Sequence, residues 1–362
     1  MTSGRWTRLA LAGLGTAAAA VTTGVVVERR VVRSRKAGST GADELGSLRG
    51  EVHRVRADDG VLLHAEVDEV APYDEGNRHR ADRDEPTIVF VHGYALNLDC
   101  WHFQREYFRG KHRMVFYDQR SHGRSARSAK HHATIDQLGH DLARVLHELV
   151  PEGPVVLVGH SMGGMSIMAF AEHHPDVFKE RVVGAALVAT SAGGLKTHHV
   201  ISRMIPDSLA MQIGPRLVAG LALAPELVDR VRRRGSNVGF LVADQFAFGG
   251  DVPASYVEFV DNMLAGTSFA VLAQFFPNFD RLDKFTVLAA FARVPTAVVS
   301  GTDDALTSIE HSRQIADRIP GATLVECPGA GHMVILEQKD RVNAALEDLF
   351  EAAAEGRASR VS

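Results

Sequence analysis

Val155-Val156-Leu157-Val158 runs directly into Gly159-His160-Ser161-Met162-Gly163, and Met165–Ala171 continues as an apolar stretch of helical character. Four successive apolar residues read as a buried strand. The Gly-x-Ser-x-Gly pattern after them predicts a sharp turn into a helix. A serine at such a turn is pushed out of the regular backbone and exposed as a nucleophile. The glycines fit because a tight strand-to-helix turn leaves little room for Cβ atoms, and Gly164 extends the small-residue patch. Taken alone, the pattern is short enough to arise by chance in a loop. Its place between a strand and a helix raises it to a functional signal.

A serine hydroxyl is a weak nucleophile at neutral pH. It needs a base to take its proton and an acid to orient that base. Both have candidates further along. Pro295-Thr296-Ala297-Val298-Val299-Ser300 is a β-prone run ending at Gly301, and it opens into Thr302-Asp303-Asp304-Ala305-Leu306-Thr307. Ala322-Thr323-Leu324-Val325-Glu326-Cys327 reads as another strand, leading to Pro328-Gly329-Ala330-Gly331-His332-Met333. A histidine in a glycine-rich loop is ordinarily just a loop residue. His332 gains significance by following Ser161 and the Asp303-Asp304 pair in an order that can close a serine–histidine–acid set.

These segments together resemble the α/β-hydrolase fold superfamily, in particular its serine esterase/lipase and cofactor-free haloperoxidase-like members, across residues 50–350. Five motifs match in order. Val89-Phe90-Val91-His92-Gly93-Tyr94 looks like the strand and His-Gly oxyanion loop. Tyr117-Asp118-Gln119-Arg120-Ser121-His122-Gly123-Arg124-Ser125 looks like the Asp-x-Arg-x-His-Gly-x-Ser loop. Gly159–Gly164 matches the nucleophile elbow, Gly301–Asp304 the acid turn and Gly331-His332 the histidine loop. Five ordered matches are far more specific than any one of them.

The resemblance implies an α/β-hydrolase fold: a mostly parallel eight-stranded sheet flanked by helices, with a helical cap inserted at 194–285. The core would comprise 46–193 and 286–352, with a leader at 1–45 and a C-terminal tail at 353–362, and the end Glu351–Ser362 is expected to be frayed. It further implies Ser161 as nucleophile and His332 as base. The acid is commonly the fourth residue of a Gly-x-x-Asp turn, which is Asp304 counted from Gly301. Asp303 stays open as the alternative, because Ser308 stands where relatives often carry proline. Some relatives place the acid one strand earlier, but Thr190–Leu195 contains none. The backbone N–H groups of Met162 and Tyr94 would be the oxyanion donors, while His92, Asp118 and His122 shape loops. No cofactor is implied. The expected substrate is a small-molecule ester or lipid. Perhydrolysis, amide or thioester cleavage and C–C hydrolysis use the same triad and stay open; a noncatalytic protein on this fold is the remote alternative. Serine rather than aspartate at the elbow argues against haloalkane dehalogenase or epoxide hydrolase chemistry.

Outward from these motifs the chain alternates strands and helices, the α/β pattern. Glu51–Ala57 and Val61–Val67 read as an opening antiparallel pair. Parallel strands are expected at Thr87–Val91, Arg113–Tyr117, Val155–Val158, Val183–Val188, Thr296–Ser300 and Thr323–Glu326. Ile135–Val150 has helical periodicity, with Leu138, Leu142, Val145, Leu146 and Leu149 on one face. Pro72–Pro86 is a charged surface insertion. The segment at 194–285 holds Phe240, Phe246, Phe248, Phe259, Phe269, Phe275, Phe276, Phe279 and Phe285. Most of these suit a small helical core, and a cap's inner face would use some to line an apolar pocket.

The net charge of −4 offers no case for nucleic-acid binding. Cys100 and Cys327 form neither a metal-ligand spacing nor a disulfide framework. The pairs His131-His132, His173-His174 and His198-His199 lack partners at ligand spacing, so no metal is expected. Oligomeric state is not legible.

The N-terminus carries a separate signal. Leu9–Val27 is uncharged and rich in Ala, Gly, Thr and Val. Arg5 and Arg8 precede it, and Arg29, Arg30, Arg33, Arg35 and Lys36 follow. The run is long enough to span a bilayer though weakly hydrophobic, and Ala17–Ala20 could serve signal peptidase. The heavier positive flank on the C-terminal side favours a membrane anchor with the following domain in the cytoplasm. A cleaved export signal and a soluble leader are the alternatives.

Overall fold

The computed structural model describes residues 44–71, 85–195 and 247–361. The leader through residue 43, most of the charged insertion (72–84) and the first part of the expected cap (196–246) lie outside the described residues. The stretch Leu9–Val27, Phe240, Phe246 and His198-His199 fall there.

Strands β1 (Glu51–Arg56) and β2 (Leu62–Asp68) form an antiparallel hairpin. β3 (Thr87–Val91) leads through a 3-10 turn into α1 (His102–Phe108) and β4 (Met114–Tyr117). Next come α2 (Ile135–Leu149), β5 (Val155–His160), α3 (Met162–His173), α4 (Pro175–Arg181) and β6 (Val182–Val188). The described cap residues form α5 (Ala254–Gly266), α6 (Phe269–Phe275) and α7 (Pro277–Asp280), followed by α8 (Leu288–Phe291). The chain closes with β7 (Thr296–Gly301), α9 (Ile309–Arg318), β8 (Thr323–Cys327), α10 (Val334–Glu337) and α11 (Lys339–Val361).

The strands make one eight-stranded sheet in the order β1-β2-β4-β3-β5-β6-β7-β8. β2 runs antiparallel to β1 and β4, and every pairing from β4 through β8 is parallel. The β-branched runs of β3 and β5 are buried along their whole length, as strands covered on both faces must be. Alternation then sorts side chains between two cores. Ile88, Phe90, Val156 and Val158 face one side with Phe108 of α1 and Leu346, Leu349 and Phe350 of α11. Val89, Val91, Val155 and Leu157 face the other with Leu142, Val145 and Leu146 of α2 and Ile167 of α3.

Helix α2 follows its sequence pattern: all five residues of the expected apolar face are buried. Thr134 caps it by accepting the Gln137 N–H at 3.1 Å. The tail departs from expectation. Instead of fraying from Glu351, the backbone continues α11 through Val361. Glu351-Ala352-Ala353-Ala354-Glu355 are strong helix formers, and Ala353 is buried against Gly184 of β6. Among the described residues no single helix is long and apolar enough to cross a membrane.

The parallel register aligns the carboxyl ends of β5, β6, β7 and β8. His160 lies beside Val188, Val188 beside Val299, and Gly301 beside Cys327. Loops leaving those ends meet in one place, the usual site of chemistry in open α/β sheets.

Candidate active site

Ser161 sits between β5 and α3 with φ of 53° and ψ of −119°. That is left-handed backbone, costly for a residue with a Cβ and sustained only where neighbours over-determine it. Here the Ser161 N–H donates to Val188 O at 2.9 Å, and Thr190 Oγ1 donates to Ser161 O at 2.6 Å. At Gly163 a Cβ would collide with the Val91 carbonyl, so only glycine lets α3 leave so close to β3. Met162 opens α3, and the first N–H groups of a helix have no intrahelical acceptor.

The loop after β3 lies against this elbow. A Cβ on Gly93 would stand 3.1 Å from Ser161 Cβ and 2.9 Å from His160 Nδ1. His92 is wholly buried; its Nε2 accepts the Gln119 N–H at 2.9 Å, leaving Nδ1–H to donate to Gly93 O at 2.7 Å. Both ring nitrogens are committed. Burial, then the neighbouring His122, pushes its pKa down to about 3. Gln119 Nε2 also donates to His92 O at 2.6 Å, and Gln119 Oε1 accepts from Ser166 Oγ of α3 at 2.7 Å.

His332 follows β8, and its Nδ1 lies 2.9 Å from Asp304 Oδ2. The Leu306 and Thr307 N–H groups donate to Asp304 Oδ1 at 2.8 and 2.9 Å. Burial pushes the Asp304 carboxyl up, but His332 and these hydrogen bonds outweigh it and hold it below the ordinary range. Asp303 is exposed and accepts from Thr302 Oγ1 instead. Of the two candidate acids, Asp304 is therefore the one that meets His332. His160 Nε2–H donates to the His332 carbonyl at 2.9 Å, which joins the elbow to the histidine loop. Burial, then His332, pushes the His160 pKa down to about 3.

The loop after β4 is a scaffold. Asp118 accepts the Leu98 N–H at 2.8 Å and the Arg124 N–H at 2.7 Å. Arg120 is fully buried and forks onto Asp141 of α2 at 2.6 Å through two nitrogens, reaching Asp59 in the β1–β2 turn at 2.7 Å. His122 is buried, which pushes its pKa down to about 4, and its Nδ1 bonds Arg120 O at 2.9 Å.

Cap and core meet at an apolar cluster that includes Met162 and Met165 of α3 and Val271, Phe275 and Phe279 of the cap, with Tyr94 packed against it. The cap's neck is a bridge between Gly193 and Asp283, with the Lys284 N–H donating to Ala192 O at 2.6 Å. His173 is not the isolated residue its sequence neighbourhood implies: its Nε2 lies 3.1 Å from Asp136, beside Glu172. Among the described residues these three are the one group with metal-ligand proximity, and the Lys284 ammonium occupies it by pairing with both carboxylates.

Two polar residues of the site, Thr307 and Glu337, and the side-chain bond of a third, Tyr94, were not among the expected features. Thr307 Oγ1 lies 2.9 Å from Asp304 Oδ2, 3.3 Å from His332 Nδ1 and 2.8 Å from Ala189 O. Its place three residues after an aspartate is the spacing of a local side-chain turn, which could have flagged it. Glu337 accepts the Gly331 N–H at 2.8 Å and the Gly249 N–H at 3.0 Å, tying the histidine loop to the chain returning from the cap, and burial pushes its carboxyl up. Tyr94 Oη donates to Leu272 O of α6 at 2.6 Å. No local sequence signal marks Glu337 or the partner of the Tyr94 hydroxyl.

The chain belongs to the alpha/beta hydrolase family, whose model matches residues 88–345. A 3-oxoadipate enol-lactonase from Acinetobacter baylyi is 28% identical over 74% of this chain and 90% of its own length. A monoacylglycerol lipase from Mycolicibacterium smegmatis is 26% identical over 70% of this chain and 84% of its own. The structure of an esterase from Thermogutta terrifontis matches with a TM-score of 0.60 at 22% identity, covering 84% of this chain and 100% of its own, a likeness of fold.

Proposed function

We propose that this family member is a serine hydrolase of carboxylic esters carrying a hydrophobic acyl or alcohol group. One observation carries the proposal: Ser161, in left-handed backbone at the elbow, shares the carboxyl end of the sheet with a His332–Asp304 contact of 2.9 Å. Ser161 Oγ attacks the ester carbonyl as His332 Nε2 takes its proton. Asp304 fixes the imidazole tautomer and stabilises the imidazolium. The backbone N–H groups of Met162 and Tyr94 receive the oxyanion. His332 returns the proton to the departing alkoxide, leaving an acyl-Ser161. Water, deprotonated by His332, then attacks this ester, releasing the acid and restoring the serine.

The buried histidines nearby do not compete for the role of base, because His92 has both nitrogens bonded and burial pushes His160 down to about 3, which makes it a weak base. The apolar junction of Met162, Val271, Phe275 and Phe279 supports a hydrophobic substrate. Relatives named as a monoacylglycerol lipase and an enol-lactonase agree with ester chemistry. Turnover of p-nitrophenyl esters of graded chain length tests the proposal. Hydrolysis lost in Ser161→Ala is expected; undiminished hydrolysis in that variant overturns it.

We further propose that Leu9–Val27 anchors the enzyme to a membrane with its catalytic domain in the cytoplasm, on the strength of the basic cluster at Arg29–Lys36. Fusing residues 1–42 to a reporter active on only one side of the membrane tests this. A periplasmic or extracellular signal contradicts it.

A further inference from the structure

The oxyanion loop is held from two directions. From below, Gln119 accepts from Ser166 of α3 and bonds both the backbone and ring of His92, so this support belongs to the core. From above, the support comes from the cap. Tyr94 Oη–H donates to the carbonyl of Leu272, in the middle of α6, at 2.6 Å. The Tyr94 ring stands edge-on to Phe279 of α7, with centroids 5.1 Å apart. Thr267, between α5 and α6, places its hydroxyl 3.4 Å from the carbonyl of Ala95. Ala95 itself has φ of 62°, a conformation that L-residues keep only under outside restraint.

We propose that Tyr94 is a positioning residue: its phenol ties the oxyanion loop to the cap helix, so the aim of the Tyr94 N–H depends on the cap being docked. This rests on reading Ser161 as the nucleophile. Side chain and backbone of one residue are then coupled: the hydroxyl reads the cap, and the amide serves the reaction. The chemistry explains why such a link matters. An oxyanion donor stabilises charge that exists only on the way to the tetrahedral intermediate, so its alignment governs kcat more than substrate binding. Misplacing a catalytic group by about 1 Å can cost about a hundredfold in rate. A residue that only glued the cap down would act differently. Its loss would raise KM for long-chain esters that lean on the cap and leave kcat for short esters unchanged.

Tyr94→Phe separates these cases, since it keeps the ring and its contact with Phe279 and removes only the hydroxyl. On p-nitrophenyl acetate, whose acyl group is too short to need the cap, kcat is expected to fall about tenfold or more with KM within about twofold. Affinity for an alkyl trifluoromethyl ketone, which forms a tetrahedral adduct, should fall in parallel. Thr267→Val, which removes the second tie, should act in the same direction with smaller size. A folded Tyr94→Phe with unchanged kcat and ketone affinity overturns the inference, as does a loss confined to KM. An inactive wild type overturns the ester-hydrolase proposal and this inference with it; an active wild type matched by an equally active Tyr94→Phe overturns the inference alone.

Discussion

His332 Nδ1 stands 2.9 Å from Asp304 Oδ2, and the same carboxylate takes the Leu306 and Thr307 N–H groups on its other oxygen. With Thr307 Oγ1 also within 2.9 Å, the carboxylate is committed on both oxygens and buried. It is a stationary anion facing one nitrogen of the imidazole, which fixes the proton on that nitrogen and leaves Nε2 to accept.

Replacing Asp304 by Asn removes the anion and favours the wrong tautomer. Asp304→Asn is expected to lower kcat/KM by about 10³–10⁴-fold. The Asp303 carboxylate is exposed and accepts from Thr302 Oγ1 rather than facing His332, so Asp303→Asn should stay within about twofold of wild type. Steady-state ester hydrolysis by both variants checks this, and a larger loss in Asp303→Asn would refute the choice of acid.

Activity should fall on acidification with a slope of one, about tenfold per pH unit, because His332 must be neutral to accept the serine proton. Burial chiefly pushes the other histidines near the elbow well below the ordinary imidazole range, His92 and His160 to about 3 and His122 to about 4. They should add no second proton to the profile. A kcat/KM profile with slope two, or one indifferent to acid, would contradict the assignment.

Arg120 has no exposed surface and neutralises Asp141 and Asp59 together. Arg120→Met leaves Asp141 as an uncompensated buried charge, at an expected cost of about 3–5 kcal/mol of stability. Adding Asp141→Leu should recover much of the loss, because a buried ion pair is worth little relative to an apolar pair. Urea unfolding of the single and double variants reads both numbers.

Glu66 of β2 supplies a pH-dependent share of stability. Burial pushes its carboxyl up, but bonds from His64, the Gly50 N–H and Arg105 outweigh this and bring it from 4.5 to about 2. A depressed carboxyl stabilises the fold above its unfolded value, and that stabilisation is lost as pH falls through the folded value. The shift corresponds to about 3 kcal/mol. The stability gap between wild type and Glu66→Gln should be full near neutral pH and close between about pH 4.5 and 2. Chemical denaturation across that window measures it; a gap constant with pH would show that the carboxylate's charge is not what matters.

Legibility followed range in sequence. The elbow was readable because strand, turn and helix are contiguous from Val155 to Ala171. Helix α2 was readable because its buried face repeats with the helical period. The choice of Asp304 over Asp303 needed the fold, since adjacent residues in a turn point apart and only the turn decides which meets His332. The polar ties were invisible for the same reason. Glu66 and Asp68 of β2 are both buried and paired with Arg105 of α1, which lies 39 and 37 positions further along the chain. Tyr94 and Leu272 lie 178 positions apart, and no local pattern announces a phenol bonded to a distant carbonyl. The helical tail was not legible because what holds it, the packing of Ala353 against Gly184 of β6, joins residues far apart in the chain.

The most direct test of the central claim is to trap the acyl-enzyme. Mixing the purified protein with a p-nitrophenyl ester and quenching in acid within the first turnover should give a stoichiometric burst of p-nitrophenol and a peptide containing Ser161 heavier by the acyl group. Ser161→Ala should show neither. Ester turnover with no acylated Ser161 peptide, or with the acyl group on another residue, would contradict Ser161 as the nucleophile.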